Sequence, residues 1–557
     1  MKVAVVVQRY GADINGGAEL HARYVAEHLA RHVDVEVLTT CAADYITWRN
    51  ERAEGLETIH GIPVRRFAVS RERDPHEFAE WSTRVFTRAH SVRDELAWLD
   101  AEGPTSPALV QYIRANQDTY DFFVFFSVRY YHAYHGARAV AGKAILVPTA
   151  EREAALGLGV FGPLFRGVRA LMYNSFEERA LIQAVSNNAD VPGVVVGVGS
   201  EIPERVEPGR FRQKFDLPHR FAIYVGRIDE NKGCRELFDF FENYSASLVD
   251  GLHLVLIGTP VIEIPRHPRI HHLGFVSDQD KFDAIAASEV LIMPSYFESL
   301  SMVALEAWAL GRPVLANAAC DVLHGQCVRS NAGLFYSGFH EFFETLRTLD
   351  SNPALAATLG RNGRRFFTED YSWPVIERKY TDMFDRLKRE PAGRPMEPVP
   401  GWWARRRQSL EAADAVVGRL PKGPVRESGT VRRGGPGSER SGERRNERSA
   451  DRATGRLGDR GNGPDRRSAT GDPDSRPTAG SSTSAPVTRD DRRPRSRGGS
   501  RPQGARERRA DPGGSRVDSP VPEPSGRPPS PDGKPPAGEG DRRRRPMRSR
   551  RRRVGGR

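Results

Sequence analysis

Phe297-Glu-Ser-Leu-Ser-Met-Val-Ala-Leu-Glu306 is the most informative stretch of this chain, because it places two carboxylates within one α/β unit. An apolar, strand-like run, Val290-Leu-Ile-Met-Pro294, precedes it, and Gly311-Arg-Pro-Val-Leu315 follows as a helix stop and the next strand. Open parallel sheets bind ligands at the carboxyl ends of their strands. A helix starting just after Glu298 would hold that residue at its mouth and Glu306 two turns in, roughly 12 Å away. The pair suits the two ends of one elongated ligand, although such pairs also occur as solvated acids on surface helices.

A second polar loop lies upstream of these glutamates. Phe221-Ala-Ile-Tyr-Val-Gly226 has the pattern of a buried strand, and Arg227-Ile-Asp-Glu-Asn-Lys-Gly233 leads from it into a helical run. Arg227 and Lys232 therefore flank a strand-to-helix loop, where a guanidinium and an ammonium can neutralise a diphosphate. A helix beginning near Ser299 would direct its first backbone N–H groups at the same phosphates.

These two loops resemble those of the family-4 glycosyltransferases, a large retaining group with the two-Rossmann GT-B fold. The resemblance extends over roughly residues 1–390 and is carried by Gly226–Gly233, Pro294–Ser301, Glu306-Ala and Gly311–Val314. It implies that Arg227 and Lys232 hold the diphosphate of a nucleotide-sugar donor and assist catalysis. It also implies that Glu298 contacts the transferred sugar as a catalytic residue and that Glu306 binds the ribose.

The remaining donor-binding positions that the resemblance implies are Gly226, Ser299, Leu300, Ser301, Gly16 and Gly17. The family usually has glycines where this chain has Ser299 and Ser301, so the turn that faces the phosphates is narrower here. Serine can still cap a helix at such a position, and we interpret the change as tuning of the site.

The amino-terminal half predicts another Rossmann-like unit. Lys2-Val-Ala-Val-Val-Val7 is a buried strand, Gly16-Gly-Ala-Glu19 opens a helical run, and Val35-Glu-Val-Leu38 is the next strand. Two glycines before a helix let a ligand approach backbone amides, and the resemblance implies that this loop faces the acceptor cleft and the donor phosphates.

A third loop departs from the family pattern. The strand Ala144-Ile-Leu-Val-Pro148 runs into Thr149-Ala-Glu-Arg-Glu153, whereas related enzymes commonly carry His-Asp where this chain has Glu151-Arg152. The family histidine lies near the transferred sugar. Either Glu151, His132 or His135 takes part on the sugar or acceptor side, or that side works differently; both histidines are otherwise ordinary loop or helix residues.

Strands alternating with helices predict an α/β protein with two Rossmann-like domains facing across a cleft and a disordered C-terminal tail. We expect an acceptor domain at 1–197, a donor domain at 198–370, a helix crossing back to the first domain at 371–400, and the tail at 401–557. The tail is rich in Pro, Gly, Ser and Arg and holds 40 Lys and Arg against 20 Asp and Glu, a net charge of +20. The overall charge of +12 therefore belongs to the tail.

Arginine-rich disordered segments bind RNA, anionic lipid surfaces or polyanionic polymers. Gly401-Trp-Trp-Ala-Arg-Arg-Arg407 could likewise rest on an anionic membrane. The alternative is a solvated appendage without a specific partner. Because the tail has no apolar periodicity, we expect a chain that ends near residue 395 to fold.

Neither a signal sequence nor an apolar run long enough to span a membrane is predicted, which favours a cytoplasmic protein or one peripheral to the inner face of the membrane. The cysteines, Cys41, Cys234, Cys320 and Cys327, have no zinc-like spacing. Asp278-Gln-Asp280 and Asp472-Pro-Asp474 are weak candidates for metal ligands. We therefore expect neither a metal nor another cofactor.

The sequence thus favours a glycosyltransferase that moves a sugar from a nucleotide-sugar to a glycan, lipid-linked or small-molecule acceptor. Retention of configuration is implied by the family resemblance alone. Two alternatives remain: a sugar-nucleotide epimerase on the same fold, or a non-catalytic binding protein that acts through the basic tail.

Overall fold

The computed structural model of the chain describes residues 1–14, 16–217, 219–391 and 409–425. Within these residues the chain forms two β-sheets, each flanked by helices on both faces. Every strand pair is parallel except one antiparallel pair at an edge of the first sheet. The predicted pair of Rossmann-like α/β domains is therefore confirmed.

The first sheet has strands β1 (Lys2–Val6), β2 (Asp34–Thr40), β3 (Gly55–Ile59), β4 (Ile62–Phe67), β5 (Phe122–Phe126), β6 (Ala144–Val147), β7 (Ala170–Tyr173) and β8 (Gly193–Val195). Their order across the sheet is β3-β4-β2-β1-β5-β6-β7-β8. Successive residues of β1 alternate between two cores, because side chains of a strand point to opposite faces. Val3 and Val5 pack on one side of the sheet, and Ala4 and Val6 pack on the other.

The helices of this domain are α1 (Gly17–Leu29), α2 (Pro75–Thr87), α3 (Val92–Glu102), α4 (Pro107–Ala115), α5 (Tyr131–Ala139), α6 (Phe161–Gly167) and α7 (Phe176–Ser186). Short 3-10 helices occupy Gln117–Thr119, Ala141–Lys143 and Ala154–Gly157. Two of these helices begin at N-cap residues whose side chains accept backbone N–H groups of the first turn. Asp74 accepts the N–H groups of His76 and Glu77 at the start of α2, and Ser91 forms a capping box at the start of α3.

The second sheet has strands β9 (Phe221–Val225), β10 (His253–Ile257), β11 (Ile270–His272), β12 (Val290–Met293), β13 (Val314–Asn317) and β14 (Gly333–Tyr336), in the order β11-β10-β9-β12-β13-β14. Its helices are α8 (Pro208–Lys214), α9 (Cys234–Ser247), α10 (Asp278–Ala287), α11 (Met302–Ala309), α12 (Asp321–Ser330), α13 (Phe339–Ser351) and α14 (Pro353–Asp370). The central strands β9 and β12 are adjacent. Their carboxyl ends therefore bring the two polar loops of the sequence together.

The last long helix, α15 (Trp373–Arg389), packs on the first domain although it follows the second. Its residues Ile376, Tyr380 and Phe384 are buried in the same core as Val3 and Val5 of β1. Helix α15 therefore ties the end of the second domain to the first sheet.

Residues 409–425, which we call the strap, return to the first domain. Leu410 exchanges two backbone hydrogen bonds with His90, at 2.7 and 3.0 Å. Helix α16 (Ala413–Gly418) follows, and Ala413, Val417 and Leu420 are buried in the core of the first domain.

The expectation that all of 401–557 is a disordered tail is therefore wrong for residues 409–425. The strap has apolar residues at the helical spacing 410, 413, 417 and 420, a pattern that the polar composition of the region as a whole conceals. Residues 392–408 and 426–557 lie outside the described residues. None of the described helices combines the length and apolar character needed to cross a membrane.

Three histidines stack at the outer edge of the second sheet, on β10, β11 and the loop before β9. His253 Nδ1 lies 2.8 Å from His271 Nε2, and the rings of His219 and His253 stack with centroids 4.3 Å apart. Burial, together with His219, His271, Arg269 and His267, lowers the pKa of His253 to about 4. Burial and His219 also lower the pKa of His271.

The histidine stack predicts that the protein loses stability at acid pH. The folded state favours neutral His253, whereas the unfolded chain protonates histidine near pH 6.5, so the stabilisation is complete above about pH 6.5 and is lost as the pH falls towards 4. We expect the melting temperature of His253→Phe to fall less steeply than that of the parent between about pH 7 and pH 4.5. Equal slopes for the two proteins would contradict this assignment.

Candidate functional site

Asp229 organises the loop between β9 and α9. Its Oδ1 accepts the backbone N–H of Lys232 at 2.8 Å, and its Oδ2 accepts a hydrogen bond from Arg227 Nε. Gly233 follows with φ of 71°, and a Cβ at this position would lie 2.1 Å from the carbonyl oxygen of Pro294. Only glycine permits this combination, so the loop is packed directly on the chain leaving β12.

Lys232 and Glu298 meet across these two loops. The Lys232 ammonium donates to Glu298 Oε1 at 2.7 Å. Burial alone would lower the pKa of Lys232, but the adjacent Glu298 carboxylate outweighs it, and the pKa is raised. Arg227 remains more than half exposed beside this pair. The structure thus places two cations and a carboxylate at the carboxyl ends of adjacent parallel strands, where such sheets bind ligands.

Helix α11 starts later than the sequence predicts. Ser301 is its N-cap and accepts the N–H of Ala304 at 3.2 Å, so the helix begins at Met302 and not near Ser299. Glu298 therefore lies in the preceding loop, and Glu306 is the fifth residue of the helix, about one turn in. The physical reason is the serine cap, which satisfies a first-turn N–H and ends the non-helical segment.

The other predicted residues of this turn have separate contacts. Leu300 is buried in the core of the second domain. Asn174 Nδ2, at the carboxyl end of β7, lies 3.5 Å from Ser299 Oγ across the cleft. The turn therefore lies where the two domains approach each other.

Glu306 is buried and only partly hydrogen-bonded. Its Oε1 accepts from Ser200 Oγ and Lys281 Nζ, both at 2.9 Å. Its Oε2 is also buried and has no partner among the residues that the structure describes. A carboxylate oxygen in this condition can accept a hydrogen bond from a ligand.

Glu151 approaches the same centre from the first domain. Burial raises its pKa to about 7, and the Glu298 and Glu153 carboxylates add to the shift. Ser127 and Thr149, at the ends of β5 and β6, have φ of 62° and 50°, in the left-handed region. Such strain in non-glycine residues is typical of functional loops.

Glu178, a buried residue that the sequence analysis missed, anchors the loop before Glu151. Its Oε1 accepts the N–H of Ala150 at 2.6 Å, and its Oε2 accepts the N–H of Asn174 at 2.5 Å. One carboxylate therefore fixes the loops that follow β6 and β7. The spacing Ser175-x-x-Glu178, typical of a capping box, was the only signal for it in the sequence.

His132 and His135 do not join this centre. His132 is fully buried, and its Nε2 lies 3.1 Å from the carbonyl oxygen of Phe126. His135 packs between Tyr131 and Tyr134. Burial lowers the pKa of His132 to about 3 and that of His135 to about 4, so both are neutral packing residues of α5.

The Gly16-Gly17 loop opens α1 as predicted. Gly16 is the N-cap, and a Cβ there would lie 2.3 Å from a carboxylate oxygen of Glu19. Glu19 is paired with Arg9 at 2.6 Å. A side chain at Gly16 would therefore have to displace the Glu19 carboxylate, whereas a Cβ at Gly17 would meet nothing within 4 Å among the described atoms.

The two domains and the strap meet in a charged seam beside the cleft. Arg152 of the first domain donates to Asp321 of the second at 2.8 Å, and Arg329 of the second pairs with buried Glu177 of the first. The strap adds backbone bonds to both pairs: Gly423 N donates to Asp321 at 2.8 Å and Val425 N to Glu177 at 2.9 Å. Among the described residues, no cluster of His, Cys, Asp and Glu could hold a metal ion.

Parts of the chain are similar to known proteins. Residues 219–349 match the family model for glycosyl transferases group 1. A D-inositol 3-phosphate glycosyltransferase of Streptomyces avermitilis is 33% identical over 111 residues, which are 20% of this chain and 24% of that protein. One of Corynebacterium urealyticum is 22% identical over 72% of this chain and 99% of its own length. In four of the curated relatives, including that of Streptomyces avermitilis, the match with this chain spans only 24% to 49% of the relative's length.

The crystal structure of Anabaena HepE in complex with UDP-glucose has a TM-score of 0.50 and 17% identity to this chain, covering 69% of it and 100% of HepE. The two sheets, the crossing helix and this likeness define a protein with the GT-B fold. The similarity to the glycosyl transferases group 1 family lies in residues 219–349.

Proposed function

We propose that the protein is a glycosyltransferase that moves a sugar from a nucleotide-sugar to an acceptor hydroxyl with retention of configuration. The observation that carries the proposal is the contact between Lys232 and Glu298, with Arg227 beside it, at the carboxyl ends of β9 and β12. Cations for a diphosphate and a carboxylate for a sugar are the groups that this transfer requires.

Arg227 and Lys232 would bind the donor diphosphate and stabilise its charge as it leaves. The first N–H groups of α11, other than that of Ala304, which Ser301 accepts, would contribute to the same phosphates. Attraction of Lys232 to the phosphates would release Glu298 to contact the transferred sugar. Glu306 would accept a ribose hydroxyl through Oε2.

Glu151 would lie on the sugar side of this arrangement. A carboxyl group with a pKa of about 7 is protonated in part of the molecules at neutral pH. It can then donate a hydrogen bond to the sugar or the acceptor, which an ionised carboxylate cannot do. The acceptor would be a glycan, a lipid-linked saccharide or a small molecule, bound by the first domain.

Incubation of the full chain with UDP-, GDP- and ADP-sugars and a set of saccharide acceptors tests the proposal. UDP-glucose is the first donor to try, because HepE was crystallised with it. We expect one donor to give acceptor-dependent release of nucleotide and an α-linked product from an α-linked donor. Absence of transfer with every donor, or a product of inverted configuration, would overturn the proposal.

Transfer is expected to persist in excess EDTA. Arg227 and Lys232 offset the charge of the leaving diphosphate, so a divalent cation is not needed for that step. Rates measured with EDTA, and with added Mg²⁺ or Mn²⁺, check this prediction. Loss of turnover that only the cation restores would contradict it.

A sugar-nucleotide epimerase is the second candidate, and Glu151 is the observation that favours it. Its pKa of about 7 suits a proton-transferring group, and the Glu298 carboxylate lies close enough to perturb it. The same incubations distinguish the two functions. An epimerase converts the nucleotide-sugar without an acceptor, whereas a transferase releases the nucleotide only with one.

The net charge of +20 over residues 401–557 supports the binding of an anionic partner by the basic tail. We propose that this tail binds RNA or an anionic membrane surface and that the protein acts in the cytoplasm, peripheral to the inner face of the membrane. A non-catalytic protein that acts through this tail would bind such surfaces but would not turn over any donor.

A further inference from the structure

Glu306 is held from one side only. Lys281 Nζ, on the first turn of α10, and Ser200 Oγ, in the linker between the domains, both donate to its Oε1. The side chain of Glu306 is 4% exposed, and that of Lys281 is 20% exposed. The second carboxylate oxygen, Oε2, is buried without a partner in the described part of the chain.

This asymmetry has an electrostatic cause. A buried carboxylate without a cation is strongly destabilising, and Lys281 supplies that cation for Glu306 inside the domain. Because both donors meet Oε1, the lone pairs of Oε2 stay available in a fixed direction. An unsatisfied buried acceptor destabilises the protein without ligand. A ligand that donates a hydrogen bond to this acceptor offsets that cost.

The chemistry of the ligand group follows from the acceptor. A carboxylate accepts hydrogen bonds and repels phosphate, so the group that it binds must be a hydrogen-bond donor without negative charge. In a nucleotide-sugar whose diphosphate lies between Lys232 and the start of α11, the neighbouring donors are the ribose hydroxyls. This step rests on the proposed function.

We propose that Lys281 is a positioning residue which, with Ser200, aims Glu306 Oε2 at the ribose hydroxyls and so makes the site selective for ribonucleotides. Lys281 acts through Glu306 and does not itself touch the donor. Other groups facing Lys281 are the exposed Asp278, 3.5 Å away, and the ring of Phe282. Asp278 is too exposed to replace Glu306 as its partner.

Binding of UDP, GDP and ADP, and of their 2′-deoxy and 3′-deoxy forms, to the full chain by calorimetry tests the proposal. The parent should bind one ribonucleotide about ten- to hundredfold more tightly than its deoxy forms, the value of one charge-assisted hydrogen bond. In Lys281→Met this ratio should shrink towards one, and Lys281→Arg should restore most of it. Ser200→Ala, which leaves the ion pair intact, should reduce the ratio less.

A variant that combines Glu306→Gln with Lys281→Met shows whether Lys281 acts through Glu306 or acts on the nucleotide itself. Glu306→Gln should also lose the ribose preference, and adding Lys281→Met to it should change nothing further. Lys214→Met is the matched control. Lys214 carries the same charge as Lys281, but it pairs with Asp280, which lies on α10 beside Lys281. It should retain the full ratio.

Equal weakening of ribo and deoxy forms by Lys281→Met would assign Lys281 to phosphate attraction and overturn the proposal. An undiminished effect of Lys281→Met in the Glu306→Gln background would also overturn it. If the parent binds a nucleotide without ribose preference, the role of Lys281 is refuted but the proposed function is not. A parent that binds none of the three nucleotides removes the proposed function as well.

Discussion

Glu298→Ala is expected to lower kcat by about a hundredfold or more, with a smaller change in donor KM. The sugar ring gains positive charge as its bond to the diphosphate breaks, so a carboxylate that contacts it contributes more in the transition state than in the ground state. The variant also removes the partner of Lys232, whose ammonium would then bind the donor phosphates without competition. Ground-state binding should therefore survive while turnover falls.

Glu306→Ala is expected to have the opposite kinetic signature. A hydrogen bond between Glu306 and the ribose is equally strong before and during the reaction, so its loss raises donor KM and leaves kcat nearly unchanged. Loss of a charge-assisted hydrogen bond of about 1.5–3 kcal/mol corresponds to a roughly ten- to hundredfold change.

Steady-state kinetics at saturating acceptor measure both constants, and thermal melting of each variant establishes that it is folded. Arg235→Ala is a suitable control, because this exposed residue follows the same loop and pairs only with the exposed Glu230 among the described residues. A Glu298→Ala enzyme with unchanged kcat, or a Glu306→Ala enzyme with unchanged donor KM, would remove the basis for placing the donor along these loops.

Removal of the strap is expected to destabilise the protein far more than removal of the tail beyond it. A chain that ends at residue 425 retains Val417 and Leu420 in the core of the first domain, whereas a chain that ends near residue 395 loses both. Burial of two such side chains contributes about 3–6 kcal/mol, a large part of the roughly 5–15 kcal/mol that stabilises an ordinary domain. The shorter chain also leaves Asp321 and Glu177 without their strap donors.

Melting curves of the full chain and of the two truncated chains check this prediction. The 1–425 chain should melt with the parent and turn over a small acceptor at the same rate, while its binding to RNA or anionic vesicles at low salt falls. Leu420→Ala in the full chain is the matched control, because it removes one buried contact and leaves the charge of the tail intact. Equal melting of the 1–395 chain and the parent would refute a structural role for the strap.

The strands, the order of the two domains and the polar loops could be predicted from the sequence because local patterns determine them. The run Phe221–Val225 is apolar throughout because both faces of β9 are covered, and a buried parallel strand requires such a run. The same reasoning predicts that Arg227, Lys232 and Glu298 are neighbours. Their adjacency needs only that β9 and β12 lie side by side with their carboxyl ends together.

Contacts between distant parts of the chain could not be predicted in this way. Ser200 and Lys281 reach Glu306 from 106 and 25 residues away, and neither has a local pattern that distinguishes it from a surface polar residue. The start of α11 at Met302 depended on which of two serines caps the helix, and only Ser301 does so.

The sequence by itself therefore determined the α/β class, the two domains and the residues that line the ends of β9 and β12. Tertiary structure alone decided that Glu306 keeps one oxygen free, that Glu178 anchors the loop before Glu151, and that the strap belongs to the folded part. The physical reason is the range of the interactions. Strand and helix periodicity acts over a few residues, whereas hydrogen bonds and burial between remote segments exist only after the two sheets have packed.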